Sequence, residues 1–459
     1  MTAIAEGVFC PKVWLPNGWA ERVAIQFDES GSIASVEPEA VAGNLPRAPG
    51  PVVPGMPNVH SHAFQRAMAG LTQHAGSDKD TFWTWRQAMY RFVDRMTPEM
   101  TEAIAGQLYV EMLEGGYTAV GEFQYLHHQS HGRPYETRSE LSQRILTAAH
   151  SAGIGMTLLP VLYASGGFGG APATEGQRRF LNDAEGIGVI LAEITAACAG
   201  DPQMRIGLAP HSLRAVPPKL LREVLNMLDD IDATAPIHIH VAEQMREVEE
   251  CEAWSGQRPV EWLMAHTHVS RRWCLIHATH MTPVETLALA ASGAVAGLCP
   301  TTEADLGDGL FPAEDYLSEA GRFGIGSDCH TLVSATDELR MLEYGQRLTL
   351  RRRNVLRPGN VASVGRGLYT ASVDGGAQAL GRPIGRLSPG YRADLVVLDG
   401  SHPLLLGKCD DDIFDTYVFS GGPGLVRDVY VGGCRLVEGK RHIHRDSIAR
   451  RFQEAMSEI

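Results

Sequence analysis

Short, nearly continuous apolar runs alternate with segments of helical periodicity between about residues 52 and 330. Apolar runs of this kind are typical of parallel strands that are buried on both faces of a sheet. Eight runs fit that description: PVVPGMPNVH, TAVGEFQYLH, IGMTLLPVLYA, MRIGLAPHSL, APIHIHVAE, WCLIHATH, GAVAGLCPTT and FGIGSDCH. Eight strands that alternate with helices predict a (β/α)8 barrel.

Capping patterns predict where some of the intervening helices begin and end. The sequence T-P-E at 97–99 places proline at the first helical position, and the glycine pair at 115–116 ends the same helix. The sequence T-P-V-E at 282–285 has the capping-box pattern. We therefore expect helices to start at residues 98 and 283.

The two ends of the chain have a different, strand–turn–strand pattern. Residues 1–51 include RVAIQFDESGSIASVEP, and residues 386–459 include ADLVVLD and VRDVYVGGCRLVEG. Chain termini often lie close together, so we expect both ends to form one small β-sandwich-like domain beside a barrel of residues 52–385. The predicted fold class is α/β, a TIM-like (β/α)8 barrel with a small β domain built from the N- and C-terminal segments.

Composition limits the class of protein and its partners. Hydrophobic residues make up 44% and charged residues 20% of the 459, which is typical of a globular protein, and no apolar run reaches the roughly 20 residues of a membrane helix. A net charge of −14 argues against nucleic acid or an anionic membrane as partner, so an anionic substrate would need local cations. The eight cysteines contain no C-x-x-C pair, and we see no signal peptide, so we expect a cytoplasmic protein.

Polar residues mark the ends of six of the predicted strands. The carboxyl ends of barrel strands converge on one mouth, where active sites are built. The residues at these ends, in strand order, are His60 and His62, Tyr125, His211, His240 and Glu243, His277, and Asp328. A single histidine at a strand end is usually structural, but this many at one mouth indicates a functional site.

Four of these residues form a plausible metal ligand set. The H-x-H of His60 and His62 directs two imidazoles to one side of an extended segment, because side chains repeat every two residues. His240 adds a third nitrogen and Asp328 a carboxylate, a set that suits Zn²⁺, with Fe²⁺ as an alternative. The end of the fourth strand offers no lysine or glutamate to bridge two metals, so we expect one zinc ion per chain.

The motifs together resemble the amidohydrolase superfamily. PGMPNVHSH resembles its first-strand signature, and GYRADLVVLD resembles its C-terminal β-domain signature. HVAEQ, combined with a single-metal ligand set, resembles the deaminase branch of that superfamily. Within the branch, NVHSHAFQRAMAGL, FWTWR, GEFQYLHH and APHSLRAV resemble the N-formimino-L-glutamate deiminases of histidine degradation.

This resemblance implies an activity and a set of site residues. The activity would be zinc-dependent hydrolysis of N-formimino-L-glutamate to N-formyl-L-glutamate and ammonia, carried out by a homodimer. The zinc ligands would be His60, His62, His240 and Asp328. The proton-transfer residues would be Glu243, His277 and Asp328, and the substrate-binding residues would be Gln65, Arg86, Tyr125, His211 and Arg214.

The chemistry of the residues is compatible with that activity. A zinc ion lowers the pKa of a bound water towards about 7, and Asp328 is placed to take its proton. Glu243 follows the ligand His240 by three residues and can shuttle a proton to the leaving nitrogen. Arg86 and Arg214 can each bind a carboxylate through a bidentate fork, which a purine or pyrimidine substrate would not need.

Two alternative functions remain open at this point. The first is another mononuclear-zinc amidohydrolase that acts on guanine, S-adenosylhomocysteine, cytosine or a triazine. The second is a non-catalytic barrel that serves as an assembly scaffold, which would be expected to lose its metal residues.

The remaining histidines are expected to be structural. His127, His128 and His131 are interpreted as a polar loop rather than a second metal site. His238 is interpreted as a residue that faces the barrel interior and either supports a site residue or packs there. His442 and His444 alternate on a predicted edge strand and are expected to face solvent.

Overall fold

The protein is described by a computed structural model that covers residues 4–74 and 80–458. The strands in this part of the chain are β1 Gly7–Leu15, β2 Gly18–Phe27, β3 Ile33–Glu37, β4 Val52–Pro54, β5 Met56–Ser61, β6 Tyr117–Gln124, β7 Gly155–Leu162, β8 Met204–Ile206, β9 Ala209–Pro210, β10 Ile237–Val241, β11 Trp273–His277, β12 Val295–Leu298, β13 Arg322–Ile325, β14 Leu395–Leu398, β15 Val426–Val431, β16 Cys434–Glu438 and β17 Arg441–His442. The α-helices are α1 Phe82–Val93, α2 Pro98–Glu114, α3 Glu140–Ala152, α4 Ala184–Ala197, α5 Pro218–Asp232, α6 Met245–Ser255, α7 Pro259–His266, α8 Pro283–Ser292, α9 Pro300–Leu306, α10 Ala313–Ser318, α11 Ala335–Leu350, α12 Val364–Leu380, α13 Asp411–Thr416 and α14 Arg445–Ser457.

A parallel sheet with the strand order β10-β11-β12-β13-β5-β6-β7-β8 forms the barrel. The fourth barrel strand is interrupted, and its second half, β9, pairs with β7. Isolated bridges from Leu208 to Ile237 and from Ser212 to His240 connect this strand to β10 and so join the two ends of the sheet. The predicted TIM-like barrel is therefore confirmed.

The barrel strands have the burial that continuous apolar runs predict. Every residue of β5, β6, β7, β10, β11 and β12 is buried, because helices cover the outer face and side chains fill the interior. Polar residues are therefore confined to the ends of these strands or are hydrogen-bonded inside, as His238 is to the carbonyl of Ala379 at 2.8 Å. This bond confirms the packing role expected for His238.

The second sheet combines strands from both ends of the chain, in the order β17-β16-β15-β14-β4-β1-β2-β3. The N- and C-terminal segments thus form one small β domain, as expected. The strand β4 joins the two halves, since it pairs antiparallel with β14 and parallel with β1.

The assignment of residue 52 as the start of the barrel was wrong in one detail. Val52–Pro54 belongs to the small β domain, and the first barrel strand starts at Met56. Gly55 separates the two strands at a point where a Cβ atom would lie 2.2 Å from the side chain of Thr118. Because both strands are buried, hydrophobicity alone did not divide the run PVVPGMPNVH.

The predicted helix starts are confirmed by their capping hydrogen bonds. The Thr97 hydroxyl accepts a hydrogen bond from the backbone N–H of Met100, and the Thr282 hydroxyl accepts one from the N–H of Glu285. Within the described residues, no helix combines the length and the apolar character needed to cross a membrane.

One expectation for the C-terminal segment was wrong. His444 is exposed, but His442 is buried and its Nε2 atom lies 2.9 Å from the carbonyl oxygen of Ala152 at the end of α3. The short strand β17 therefore packs against the barrel helices rather than presenting both histidines to solvent.

Candidate active site

Four of the predicted residues lie together at the carboxyl ends of the barrel strands. His60 and His62 come from the end of β5, His240 from β10, and Asp328 from the loop after β13. The Nε2 atoms of His60 and His240 lie 3.1 Å apart, and Asp328 Oδ1 lies 3.5 Å from His60 Nε2 and 3.4 Å from His62 Nε2. All four side chains are buried. The sequence prediction that they form one cluster is met by this geometry, while their role as ligands stays a prediction.

Backbone carbonyl groups fix the tautomers of two of these histidines. His62 Nδ1 lies 3.0 Å from the carbonyl oxygen of Phe123, and His240 Nδ1 lies 3.0 Å from that of His211. A carbonyl only accepts hydrogen bonds, so each Nδ1 must carry the proton. The Nε2 lone pairs then face the centre of the cluster, as they do in metal-binding histidines.

Burial keeps the histidines of the cluster neutral. It lowers the pKa of His62 and His240, and lowers the pKa of His60 to about 3. Burial alone would raise the pKa of Asp328, but its hydrogen bond with His60 and the adjacent imidazoles hold that pKa below its ordinary value. Neutral imidazoles and an ionised carboxylate are the protonation states that a metal site requires.

The donor set fits a single divalent metal ion. Lone pairs on buried nitrogens face one another and a buried carboxylate, an arrangement that costs free energy unless a cation lies between them. His60, His62 and His240 offer nitrogens whose positions fall within 4.8 Å of one another, and so do the donor atoms of His60, His277 and Asp328. Three imidazoles with one carboxylate suit Zn²⁺.

A second group of side chains lies on the adjacent side of Asp328. His277 Nε2 is 3.6 Å from Asp328 Oδ2 and 3.7 Å from Glu243 Oε1, and its Nδ1 is 3.3 Å from Glu303 Oε1. The backbone of His277 and of Asp328 has positive φ, 67° and 46°, which is uncommon outside glycine and is often found at functional sites.

Burial and the neighbouring charges shift the pKa values of Glu243 and His277 in this second group. Burial raises the pKa of Glu243 to about 7, although the nearby His277 opposes the shift. Burial alone would lower the pKa of His277. The charge of Glu243 and the hydrogen bond with Glu303 outweigh this effect and raise the pKa of His277 to about 10. Glu243 can therefore exchange a proton near neutral pH.

A cavity of about 570 Å³, part of it open to solvent, leads from these residues to the surface. Its wall contains all five predicted substrate-binding residues: Gln65, Arg86, Tyr125, His211 and Arg214. The Gln65 amide donates a hydrogen bond of 2.8 Å to the Tyr125 hydroxyl. The five side chains singled out from the sequence thus lie at one cavity, and their contact with substrate stays a prediction.

The two arginines of the cavity lack carboxylate partners. No described carboxylate oxygen lies within 4.0 Å of a guanidinium nitrogen of Arg86 or Arg214. Arg214 is buried, and its Nε atom has no hydrogen-bond partner in the described part of the chain. A buried guanidinium group without an ion pair is costly, although the charges of the nearby Glu247 and Glu243 favour the charged form of Arg214. Together with the half-buried Arg86, it points to an anionic ligand.

Sequence reasoning missed several residues of the site. Tyr163 follows the third barrel strand and lines the cavity, and Glu303 lies beyond the seventh strand and contacts His277. Both follow the same strand-end rule that identified the other residues, so a search of all eight strand ends would have found them. The aromatic wall formed by α1 includes Trp85, which belongs to the FWTWR motif, and Tyr90, which no strand-end pattern indicates.

The histidines after the second strand do not form a second metal site among the described residues. His127 and His128 are buried, and their Nε2 atoms lie 2.9 Å and 2.6 Å from the carbonyl oxygens of Val161 and Leu181. Both residues lie in the loop after β6, as expected, and each side chain bonds the backbone of a neighbouring segment rather than facing solvent.

Comparisons with known proteins agree with this geometry. The chain is 52% identical over 452 residues to a formimidoylglutamate deiminase of Pseudomonas aeruginosa. The alignment covers 98% of this chain and 99% of that protein. It is 26% identical over 438 residues to a 5-methylthioadenosine/S-adenosylhomocysteine deaminase of Natronomonas pharaonis. That alignment covers 94% of this chain and 92% of the relative. A crystal structure of an amidohydrolase from Brucella melitensis has a TM-score of 0.94 and 50% identity over 99% of both chains.

The match at the level of the family spans the barrel and part of the small β domain. The amidohydrolase family aligns with residues 52–436, a range that contains every residue of the site described above. This chain therefore belongs to the amidohydrolase family.

Proposed function

We propose that this protein is a zinc-dependent formimidoylglutamate deiminase, which hydrolyses N-formimino-L-glutamate to N-formyl-L-glutamate and ammonia. The observation that carries the proposal is the composition of one cavity. A cluster of neutral imidazoles and a carboxylate forms one end, and two guanidinium groups without carboxylate partners lie in the same wall. The relative that is 52% identical supports the same activity.

One zinc ion would be held by His60, His62, His240 and Asp328. Zinc, when bound, supplies a Lewis acid that activates water and polarises the group under attack. The carbonyl groups of Phe123 and His211 keep two of the imidazoles oriented for this task, because they fix the Nδ1 proton. Fe²⁺ would suit the same donors, so elemental analysis must identify the ion.

The carboxylates and His277 would then move the protons of the reaction. Asp328 would take a proton from the water that attacks the formimino carbon. Glu243, with a pKa raised to about 7 by burial, would deliver a proton to the nitrogen that leaves as ammonia. Both protons of the water would reach the nitrogen by way of Asp328 and Glu243, so that the carbon–nitrogen bond breaks as the new carbon–oxygen double bond forms and ammonia leaves. His277 would donate a hydrogen bond to the oxygen during the attack.

The two carboxylates of the substrate would be bound by Arg86 and Arg214. A protein with a net charge of −14 repels a dianion unless cations lie at the binding site, and these two provide them. Tyr125, His211 and Gln65 line the same cavity and would orient the chain of the substrate through hydrogen bonds.

We also propose that the protein acts as a homodimer in the cytoplasm, within histidine degradation. All eight cysteines are free, which supports a reducing compartment. The apolar side chains of Met341 and Leu348 on α11 are 40% and 80% exposed, which is compatible with an interface between subunits. Light scattering at micromolar concentration would show the mass of a dimer, and a strict monomer would contradict this part of the proposal.

The products distinguish the proposed reaction from its nearest chemical alternative. Zinc-loaded protein should convert formiminoglutamate to formylglutamate and ammonia in equal amounts, and in H₂¹⁸O the new oxygen should be in the formyl group. Glutamate and formamide as products would mean that the other carbon–nitrogen bond is cleaved. No turnover, combined with release of ammonia from guanine, cytosine or S-adenosylhomocysteine, would favour the alternative deaminase function.

A further inference from the structure

The indole ring of Trp83 on α1 is surrounded by three guanidinium groups. The Cζ atom of Arg86 lies 4.4 Å from the ring centroid, that of Arg246 lies 4.5 Å away, and that of Arg214 lies 5.9 Å away. These residues come from three elements: Arg86 from α1 itself, Arg246 from α6, and Arg214 from the loop after β9. All three lie within the distance at which a cation is attracted by the face of an aromatic ring.

The three cations differ in their other partners. Arg246 is exposed and forms an ion pair of 2.7 Å with Glu250 on its own helix. Arg86 and Arg214 line the cavity and have no carboxylate partner among the described residues. Arg86 also lies 5.7 Å from the ring of Tyr90, whereas Arg214 keeps a buried Nε atom without a hydrogen-bond partner. The ring of Trp83 is therefore a contact that the two unpaired arginines share.

Like charges repel, so two unpaired guanidinium groups in one wall need something that holds them in place. An aromatic ring attracts a cation without neutralising it, and it occupies none of the five N–H donors. An ion pair with a protein carboxylate would instead use the donors that a substrate carboxylate needs. The wall of the cavity includes Arg86 and Arg214 but does not include Trp83 itself among its described residues.

We propose that Trp83 is a positioning residue that holds Arg86 and Arg214 ready to bind the two carboxylates of a dianionic substrate, while its contact with Arg246 anchors α1 beside α6. The inference rests on the proposed function, because it assigns both arginines to the carboxylates of the substrate. Trp83 acts through the arginines and does not contact the reacting atoms.

Loss of the ring should weaken binding more than catalysis. The substrate carboxylates keep the same charge in the bound substrate and in the transition state. Weaker binding of these carboxylates by the arginines therefore affects both states equally, which raises KM more than it lowers kcat. Trp83→Leu should raise both KM for formiminoglutamate and Kd for the simple dicarboxylate glutarate about tenfold or more. Its kcat should stay within about threefold of the wild type. Trp83→Phe keeps an aromatic face and should recover most of the affinity.

A double-mutant cycle tests whether Trp83 acts through Arg214. If it does, Trp83→Leu should cost much less in a variant that already carries Arg214→Met than in the wild type, because contacting residues are not additive. Trp254→Leu is the matched control, since Trp254 lies on α6 and stacks on Phe168 at 5.4 Å, and no described guanidinium group lies over its ring. This control should leave the Kd for glutarate unchanged, and zinc content and Tm should show that each variant is folded.

The outcomes separate this inference from the proposed function. If wild-type protein releases ammonia from formiminoglutamate but Trp83→Leu and Trp83→Phe both bind glutarate as the wild type does, the inference is wrong and the function stands. If glutarate binding falls in Trp83→Leu and returns in Trp83→Phe, while the wild type releases no ammonia, the inference stands and the function is wrong. Fully additive losses in the cycle would also overturn the inference.

Discussion

The side chain of Glu243 combines burial with contact to a histidine, and this environment determines its chemistry. Burial raises its pKa to about 7, so a proton can move on or off the carboxyl group at the pH of the cell. Glu249, on the following helix α6, is exposed and lacks that environment. At the residue scale, the proposed proton transfer therefore depends on protonation states that the sequence alone does not give.

Replacing Glu243 tests its role in proton transfer. Glu243→Gln keeps the size of the side chain but cannot carry the proton, so kcat should fall by about 10²–10⁴-fold while the zinc content stays the same. Steady-state kinetics with elemental analysis would measure both quantities. Glu249→Gln, at an exposed position of α6, is the matched control and should have normal turnover. Near-normal turnover of the Glu243 variant with full zinc would assign the proton transfer to another residue.

Replacing Arg214 tests the recognition of the substrate carboxylates. Loss of a bidentate partner from a desolvated carboxylate costs roughly 2–5 kcal/mol, so Arg214→Met should lower kcat/KM for formiminoglutamate by at least about 30-fold. Zinc should remain, because Arg214 is not among the proposed ligands. A substrate analogue with both carboxylates amidated should be poor with the wild type and lose little more in the variant. Arg222→Met, on the exposed side of α5, should behave as the wild type, and equal activity of both arginine variants would contradict the assignment.

The sequence predicted these residues because chemistry-bearing side chains fall at strand ends, a position that the barrel fold makes meaningful. It did not predict their partners. Glu303 and Glu243 both contact His277, but they are 60 positions apart in the sequence. They come close together only because the strands that precede them lie on either side of the strand that ends in His277 in the folded barrel. The burial that sets their pKa values is likewise a property of the packed molecule.

At the scale of elements, Glu122 connects the second barrel strand to the end of β5, which carries the proposed ligands His60 and His62. Its carboxylate accepts hydrogen bonds from Ser61 Oγ at 2.5 Å, from the backbone N–H of Ala63 at 2.7 Å and from the Tyr109 hydroxyl at 3.1 Å. Burial raises its pKa from the ordinary 4.5 to about 7, although these hydrogen bonds oppose the shift.

This raised pKa predicts how the stability of the protein depends on pH. The unfolded chain releases the Glu122 proton near pH 4.5 and the folded protein releases it near pH 7, so the folded state binds more protons in between. Stability from this group is therefore present below pH 4.5 and is lost as pH rises towards 7. Glu122→Gln resembles the protonated group, so its free energy of unfolding relative to the wild type should rise by about 2 kcal/mol between pH 5.5 and pH 8.

Urea denaturation of metal-free wild type and variant at the two pH values measures that difference. The exposed control Glu249→Gln should show no change in its difference from the wild type. A difference for Glu122→Gln that is constant across the two pH values would mean that the carboxyl group is ionised at both.

Strands with clear ends were predicted well from the sequence, and adjacent strands in one run were not. The eight barrel strands follow from the apolar runs, and the helix starts follow from Thr97 and Thr282. The division between Val52–Pro54 and Met56–Ser61 depends on which sheet each strand joins, and it was therefore missed. The break between β8 and β9 was missed for a related reason, because the residues of MRIGLAPHSL are apolar throughout its centre.

At the scale of the whole molecule, the cluster of His60, His62, His240 and Asp328 predicts a defined metal content. Elemental analysis of purified protein should give one zinc ion per chain, since the proposed ligands His60, His62, His240 and Asp328 lie within hydrogen-bonding or ion-pair distance of one another and would share one ion. His62→Ala should lose the ion, whereas His131→Ala, at an exposed loop position, should retain it. Two tightly bound ions per chain, or full activity without any ion, would contradict the single-metal account.

Arg86 and Arg214, together with the proposed ligand cluster of the same cavity, should select formiminoglutamate among the substrates of this family. The most direct test is the kcat/KM for ammonia release by zinc-loaded protein from formiminoglutamate, guanine, cytosine and S-adenosylhomocysteine under identical conditions. The account predicts that formiminoglutamate is preferred by at least about 10³-fold, because only this substrate pairs both guanidinium groups. Faster turnover of any of the other three would contradict the account.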